Sequence, residues 1–258
     1  FRQSLLFDAL GWERPVFAHI PLIHGADGAK LSKRHGALGV EAYRDDGFLP
    51  EAVFNYLLRL GWSHGDDEII SREQAVEWFD LGGVGKSPAR FDIDKLTSLN
   101  GHYIRHGDNE RLSKFILPVI TEKLGGRVAE GTEIWLNKGL DDLKERAKTI
   151  IELADSALFY AKTRPLTMDE KATTLLSEDG IEKLCLLHAA LADIDDWSAD
   201  RLKQSVGDLA EAQDLKLGKL LQPLRAALTG THVSPGMFDV MAVLGREESL
   251  GRLDDVLN

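Results

Sequence analysis

The chain has 258 residues, 43% of them hydrophobic, with 42 acidic against 31 basic side chains and a formal net charge of −11. That is enough apolar material for one large or two to three small domains, and few aromatics beside many Leu and Ala favour helices. No apolar run approaches the ~18 residues of a membrane span, and a single cysteine, Cys185, excludes an internal disulfide or a Cys-rich metal site, as suits a cytoplasmic protein.

In chain order, the first expected element is a short helix through Leu5, Leu6 and Leu10, closed by Gly11. Residues 16–23 read as a strand that leads to a tight Ala26-Asp27-Gly28-Ala29 turn. The loop Lys30-Leu31-Ser32-Lys33-Arg34 follows and runs into His35-Gly36-Ala37. Two lysines and a serine in a glycine-flanked loop suit a clamp for phosphate charge, and they equally suit a solvated basic turn. Pro50 starts a helix with Val53, Phe54, Leu57 and Leu58 on one face, ended by Gly61. Ser71 caps the next, in capping-box spacing with Gln74, with Ala75, Val76 and Phe79 along it. The run from Gly82 to Ser87 ends like a phosphate-binding loop. It follows a helix, however, and Asp80 stands where the first glycine is required, so no nucleotide site is assigned to it.

From residue 107 every periodic segment is helical. Leu112, Phe115, Ile116, Val119 and Ile120 form one stripe, kinked by Pro118; Leu140, Leu143, Ala147, Ile150, Ile151, Ala154 and Leu158 form a second, cleaner one. Leu184, Leu187 and Leu191 mark a third helix, with Cys185 expected to be a buried, inert thiol. Ser198 caps a fourth, which carries Leu202, Val206 and Leu209 inward, and Leu217, Leu221, Leu224 and Leu228 line a fifth stopped by Gly230. Ser234-Pro235 reads as a cap and first-turn proline for a sixth through Phe238, Met241 and Ala242, stopped by Gly245. Two consecutive helical bundles, divided somewhere in 163–185, fit these elements.

The net charge argues against a nucleic-acid partner, because phosphate neutralisation needs Lys and Arg. Its distribution weakens that objection. Residues 107–164 carry ten basic and ten acidic side chains and residues 216–258 five of each, whereas 165–215 carry twelve acidic against four basic. That one stretch accounts for most of the excess negative charge.

Several runs occur together in one order: Phe17-Ala18-His19-Ile20-Pro21-Leu22-Ile23 before the lysine loop, Tyr43-Arg44-Asp45-Asp46-Gly47-Phe48-Leu49-Pro50-Glu51-Ala52, Leu58-Arg59-Leu60-Gly61-Trp62, Phe91-Asp92-Ile93-Asp94-Lys95-Leu96, Leu99-Asn100-Gly101-His102-Tyr103-Ile104-Arg105, Pro223-Leu224-Arg225-Ala226-Ala227-Leu228-Thr229-Gly230 and Ser234-Pro235-Gly236. Over essentially the whole chain this order resembles bacterial glutamyl-tRNA synthetases, whose Lys-Met-Ser-Lys-Ser loop has here Leu for Met and Arg34 for the last Ser. The resemblance implies a mainly α fold: the end of a catalytic domain with the signature loop (1–36), a mixed stem-contact domain (37–106), and two consecutive all-α anticodon-binding bundles (107–175 and 176–258). The family's His-Ile-Gly-His-type ATP motif has no counterpart, since Ala18-His19-Ile20-Pro21 lacks both the glycine and the second histidine. The expectation is therefore the C-terminal part of a larger enzyme, inactive on its own and without a cofactor of its own.

For the parent enzyme the resemblance implies charging of tRNA(Glu) with L-glutamate through a glutamyl-adenylate made from ATP with Mg2+. Lys33 matches the ATP-contacting lysine, and Lys30 and Ser32 support the loop. On the tRNA side it points to Arg225, with Ser234 and Met237 in the loop after the next turn, near the anticodon. The alternative for Arg225 is an interhelix salt bridge, and for Ser234 a plain helix cap. Arg146, Lys144 and Lys148 flank the second stripe as RNA contacts or as solvated charges. Arg105, beside His102 and Tyr103, suits RNA backbone. Expected partners are tRNA(Glu), with tRNA(Gln) left open, for a monomer with no membrane association and no metal site. Two other readings stand beside this one: a stand-alone helical RNA- or protein-binding module, and an unrelated acidic helical scaffold.

Overall fold

A computed structural model describes residues 2–31 and 39–258. The chain forms two compact units, one from residues 1–44 and 50–99, the other from residues 45–49 and 100–258.

The first unit contains helices α1 (Arg2–Ala9), α2 (Val40–Asp45), α3 (Pro50–Arg59) and α4 (Arg72–Trp78), strands β1 (Ile23–His24) and β2 (Ala89–Arg90), and the start of α5 (Ile93–Arg105). Trp62, Ile70 and Ala75 form a small core covered by Leu58, Trp78 and Val84. The Ser71 capping box forms as its spacing requires, with Gln74 N–H donating to the Ser71 hydroxyl at 3.1 Å and Ser71 N–H donating to the Gln74 side chain at 2.9 Å.

Two local expectations change here. The strand predicted over 16–23 shrinks to Ile23–His24, in parallel register with Ala89–Arg90. A strand exists only where a neighbour supplies a ladder, and among the described residues none runs beside 16–21; Val16 is 97% exposed. On α3 the buried face is Ala52, Val53, Asn55 and Tyr56, while Phe54 and Leu57 are exposed. The helix is rotated so that Asn55 faces inward, where its amide donates to Glu68 O at 2.9 Å and its carbonyl accepts from Ile70 N–H at 3.2 Å. A hydrophobicity count ranks Asn as surface, but these two bonds satisfy it inside.

The second unit is all helical: α6 (Asn109–Lys123), α7 (Thr132–Lys144), α8 (Ile150–Ala161), α9 (Glu170–Leu175), α10 (Glu178–Ala192), α11 (Ala199–Ala212), α12 (Leu217–Thr229) and α13 (Met237–Leu257). Helices α6, α7 and α8 pack on one another, as do α10 to α13, and α7 against α13 and α8 against α12 join the two groups. Leu112, Ile116, Leu136, Leu140, Leu153, Leu184, Leu187, Leu202, Leu220, Leu224 and Leu228 are all fully buried. Burying each such side chain contributes about 1.5–3 kcal/mol, so these stripes supply the main driving force. Among the described residues no helix is long and apolar enough to cross a membrane.

The second stripe is divided between two helices. Helix α7 stops at Lys144, and Thr149 caps α8 by accepting Glu152 N–H at 3.1 Å. The break has a tertiary cause as well as this local one: Ile150 N–H donates to Gly47 O at 2.9 Å, so the start of α8 is tied to the 45–49 segment. Cys185 is exposed, not buried. The buried stripe runs through Leu184, Leu187 and Leu191, and at 100° per residue position 185 turns outward. Helix α12 stops where expected, with Gly230 at φ 72°. There a Cβ would meet Thr167 O at 2.7 Å as well as strain the left-handed backbone. At Gly245 (φ 80°, ψ 172°) α13 breaks and then resumes.

Candidate nucleic-acid interface

The residues singled out from the sequence fall in three places. The first is the lysine loop. Asp27 Oδ1 accepts Ala29 N–H at 3.0 Å, and Gly28 (φ 77°) closes the turn as predicted, so Lys30 emerges on the surface beside His24. Ser32, Lys33 and Arg34 lie outside the described residues.

The second place, in the helical unit, brings together the end of α5 and the α7–α8 turn. A Cβ added at Gly101 would stand 3.4 Å from Arg105 Nη1 and 3.6 Å from both Ala147 O and Lys148 Cα, so Arg105 lies next to that turn. Arg146 and Lys148 are exposed in the turn itself, and among the described residues neither they nor Arg105 form an ion pair. Lys144 differs. Only 14% of its side chain is exposed, and its ammonium bonds Asp141 at 2.7 Å, Asn109 Oδ1 at 2.9 Å and Gly107 O at 3.3 Å. It ties α7 to the start of α6 and holds the Asp141 carboxyl below its usual range. The His102 and His106 rings meet at the end of α5 with their centroids 4.2 Å apart, tilted by 31°. Burial, then His106 and Arg105, lowers the His102 pKa, which keeps that ring neutral near pH 7.

The third place unites Arg225, Ser234 and Met237. Arg225 Nε–H donates to Ser234 Oγ at 3.0 Å, and the Ser234 hydroxyl lies 3.0 Å from Pro235 O and 3.2 Å from Met237 Sδ. Ser234 is therefore not a helix cap: the residue before α13 is Gly236, without a side-chain cap bond. Its hydroxyl orients the arginine instead. The expected alternative for Arg225, an interhelix salt bridge, is also absent among the described residues. Partial burial of this guanidinium lowers its pKa, with no carboxylate to oppose the effect. Arg164 shows the contrast, with two bonds to Asp255 at 2.8 and 3.0 Å. With Nε held, Arg225 keeps its two Nη groups for an outside pair of acceptors, the geometry that matches a base edge or a phosphate.

Sequence reasoning missed Asn100 as a side chain of consequence, although it sits in a quoted run. Its Oδ1 accepts Leu49 N–H at 2.7 Å, and its Nδ2 donates to Lys148 O at 2.7 Å and Gly47 O at 3.3 Å. It therefore positions the turn bearing Arg146 and Lys148. Among the described residues no three His, Cys, Asp or Glu side chains converge to hold a metal ion.

Comparison with known proteins gives this geometry a context. Residues 110–257 match the family model for an anticodon binding domain, and residues 1–98 match that for the catalytic domain of class I tRNA synthetases (E and Q). The class is thus that of the class I aminoacyl-tRNA synthetases. Over 258 residues the chain is 60% identical to glutamate–tRNA ligase 2 of Paramagnetospirillum magneticum and 62% identical to glutamate–tRNA ligase 2 of Rhizorhabdus wittichii, covering all of this chain and 54% of each relative. A crystal structure of a glutamate tRNA ligase from Elizabethkingia meningosepticum, in complex with its amino acid, matches with a TM-score of 0.76 and 31% identity over 99% of this chain and 54% of that one. The chain belongs to the glutamate–tRNA ligase family. It spans about half the length of the curated relatives it matches.

Proposed function

We propose that this chain is the tRNA-binding portion of a glutamate–tRNA ligase and contacts the stem and anticodon of tRNA(Glu). The observation that carries the reading is the half-buried Arg225 guanidinium, oriented by Ser234 and unpaired among the described residues, in a helical unit that matches an anticodon binding domain. Unpaired anticodon bases are read on their edges by such groups. Under this reading residues 1–36 end the catalytic domain, 37–106 contact the stem, and 107–175 and 176–258 are two anticodon-binding bundles. Arg105, Arg146 and Lys148 supply backbone contacts, whereas Lys144 serves to hold the α6–α7 joint. The reaction of the whole enzyme is the charging of tRNA(Glu) with L-glutamate, with ATP and Mg2+, through an adenylate; Lys30, Ser32 and Lys33 belong to that step. The chain alone does not catalyse it, and works in the cytoplasm as a monomer.

The test is binding of a tRNA(Glu) transcript to the chain at low salt. Arg225→Ala is expected to weaken binding by about 10- to 100-fold, as the loss of one two-point base contact would, with an unchanged thermal midpoint. A chain without tRNA affinity at low salt, and indifferent to Arg225→Ala, would be the acidic scaffold instead. Running tRNA(Gln) beside tRNA(Glu) shows whether the site separates the two.

A further inference from the structure

The loop that carries Ser234 also carries His232, and the groups around it leave positive charge uncompensated. Two charged groups face the His232 ring: Nδ1 lies 3.6 Å from an Asp169 carboxylate oxygen and Nε2 lies 3.5 Å from Lys171 Nζ. Lys162, the residue that follows α8, reaches the same loop, since a Cβ added to Gly230 would stand 3.2 Å from its Nζ. Its ammonium is half buried and has no carboxylate within 4.0 Å among the described residues. Burial lowers its pKa, and the field of Asp169 opposes that shift.

Asp169 is the one carboxylate that these groups share, and it is engaged elsewhere. It caps α9 by accepting Ala172 N–H at 2.6 Å, a bond that holds its carboxyl below the usual range. The loop is also held in place: Asp169 N–H donates to Gly230 O at 2.9 Å, the Thr229 hydroxyl donates to Arg225 O at 2.8 Å, and the Thr231 hydroxyl donates to Val233 O at 2.7 Å. Two lysines and a histidine around a braced loop, with one occupied acid between them, are set for an anion from outside. A phosphate would supply Lys162 with the counter-charge it lacks.

We propose that Lys162, Lys171 and His232 form a rim that holds the RNA backbone phosphates beside the Arg225 guanidinium. The rim rests on the tRNA-binding reading above and adds a division of labour to it. The lysines position the backbone without regard to sequence, and Arg225 discriminates between bases.

The experiment is tRNA(Glu) transcript binding by the chain across a salt series, for Lys171→Gln, Lys162→Met and the pair, with thermal midpoints recorded. Each single variant is expected to weaken binding several-fold. Each should also flatten the slope of log affinity against log salt by about 0.7, the share of one single-stranded phosphate contact. The loss should be equal for transcripts with altered anticodon bases. Lys171 is exposed, so Lys171→Gln keeps the fold and decides the matter: an unchanged slope with that variant overturns the rim. If Arg225→Ala weakens binding while both lysine variants keep the wild-type slope, the rim falls alone. If the wild-type chain shows no tRNA affinity, the underlying reading falls with it.

Discussion

Arg252→Met is expected to destabilise the helical unit by about 3–5 kcal/mol, the cost of removing one partner from a buried, hydrogen-bonded charge. Arg252 is 1% exposed. Its Nε–H donates to Glu248 at 2.6 Å, and its Nη1 donates to Phe159 O at 3.0 Å and to Leu228 O at 2.6 Å. Its guanidinium carbon lies 5.9 Å from the centre of the Trp135 ring. Phe159 and Leu228 stand in the last turns of α8 and α12, where carbonyls lack intrahelical partners and the helix dipole favours a cation. One side chain therefore closes two helix ends and touches a third helix. Methionine keeps the length and apolar packing but leaves two carbonyls and Glu248 without their donor.

Urea unfolding checks this. A midpoint close to wild type would show that water replaces the lost bonds and that the arginine is dispensable. Glu248→Gln, which keeps an acceptor for Nε, should cost much less. Arg252→Lys should not rescue, because a single ammonium cannot span the fork that reaches both carbonyls and Glu248.

Asn100→Ala is the second large effect, with an expected loss of about 2–4 kcal/mol as three backbone groups lose their partner and Leu49 N–H remains buried without one. The three bonds draw Gly47, Leu49 and Lys148 to one amide, so the 45–49 segment and the α7–α8 turn loosen together. Amide hydrogen exchange reads this directly: protection at Leu49 should fall well before global unfolding. Exchange unchanged at Leu49 would mean that Asn100 reports the local geometry without holding it. Because Lys148 O is one of the three partners, tRNA binding through Arg146 and Lys148 should also weaken, though less than with Arg225→Ala.

Much of the architecture was legible because it is written over three or four residues. Ser71 with Gln74, Ser198 with Arg201 and the glycine stop at Gly230 each act within a single turn, and each formed as its spacing predicted. The leucine stripes of α10 and α12 are equally local in origin. Thr149 and Glu152 carry a cap signal as plain as that of Ser71, but the apolar stripe runs past it from Leu140 to Leu158 and masks the break between α7 and α8.

The candidate site divides along the same line. Arg225, Ser234 and Met237 could be named from their motif, but Ser234 looked like a helix cap because a cap is the nearest use for a serine before a proline. Its actual partner lies nine residues back. Asn100 bonds a residue 51 positions away and Arg252 one 93 positions away. Asn55 and Arg252 are polar residues inside the fold, and no pattern of hydrophobicity announces them.

By itself the sequence determined the helical class, several helix ends and the family, since caps, stripes and ordered motifs are properties of neighbouring residues. Only the tertiary structure decided which polar side chains turn inward, which face of α10 carries Cys185, and which cations are left without an acid. Those outcomes depend on donors and acceptors that meet only once the chain has folded, when each buried polar group must find a partner and the groups that find none remain for a ligand.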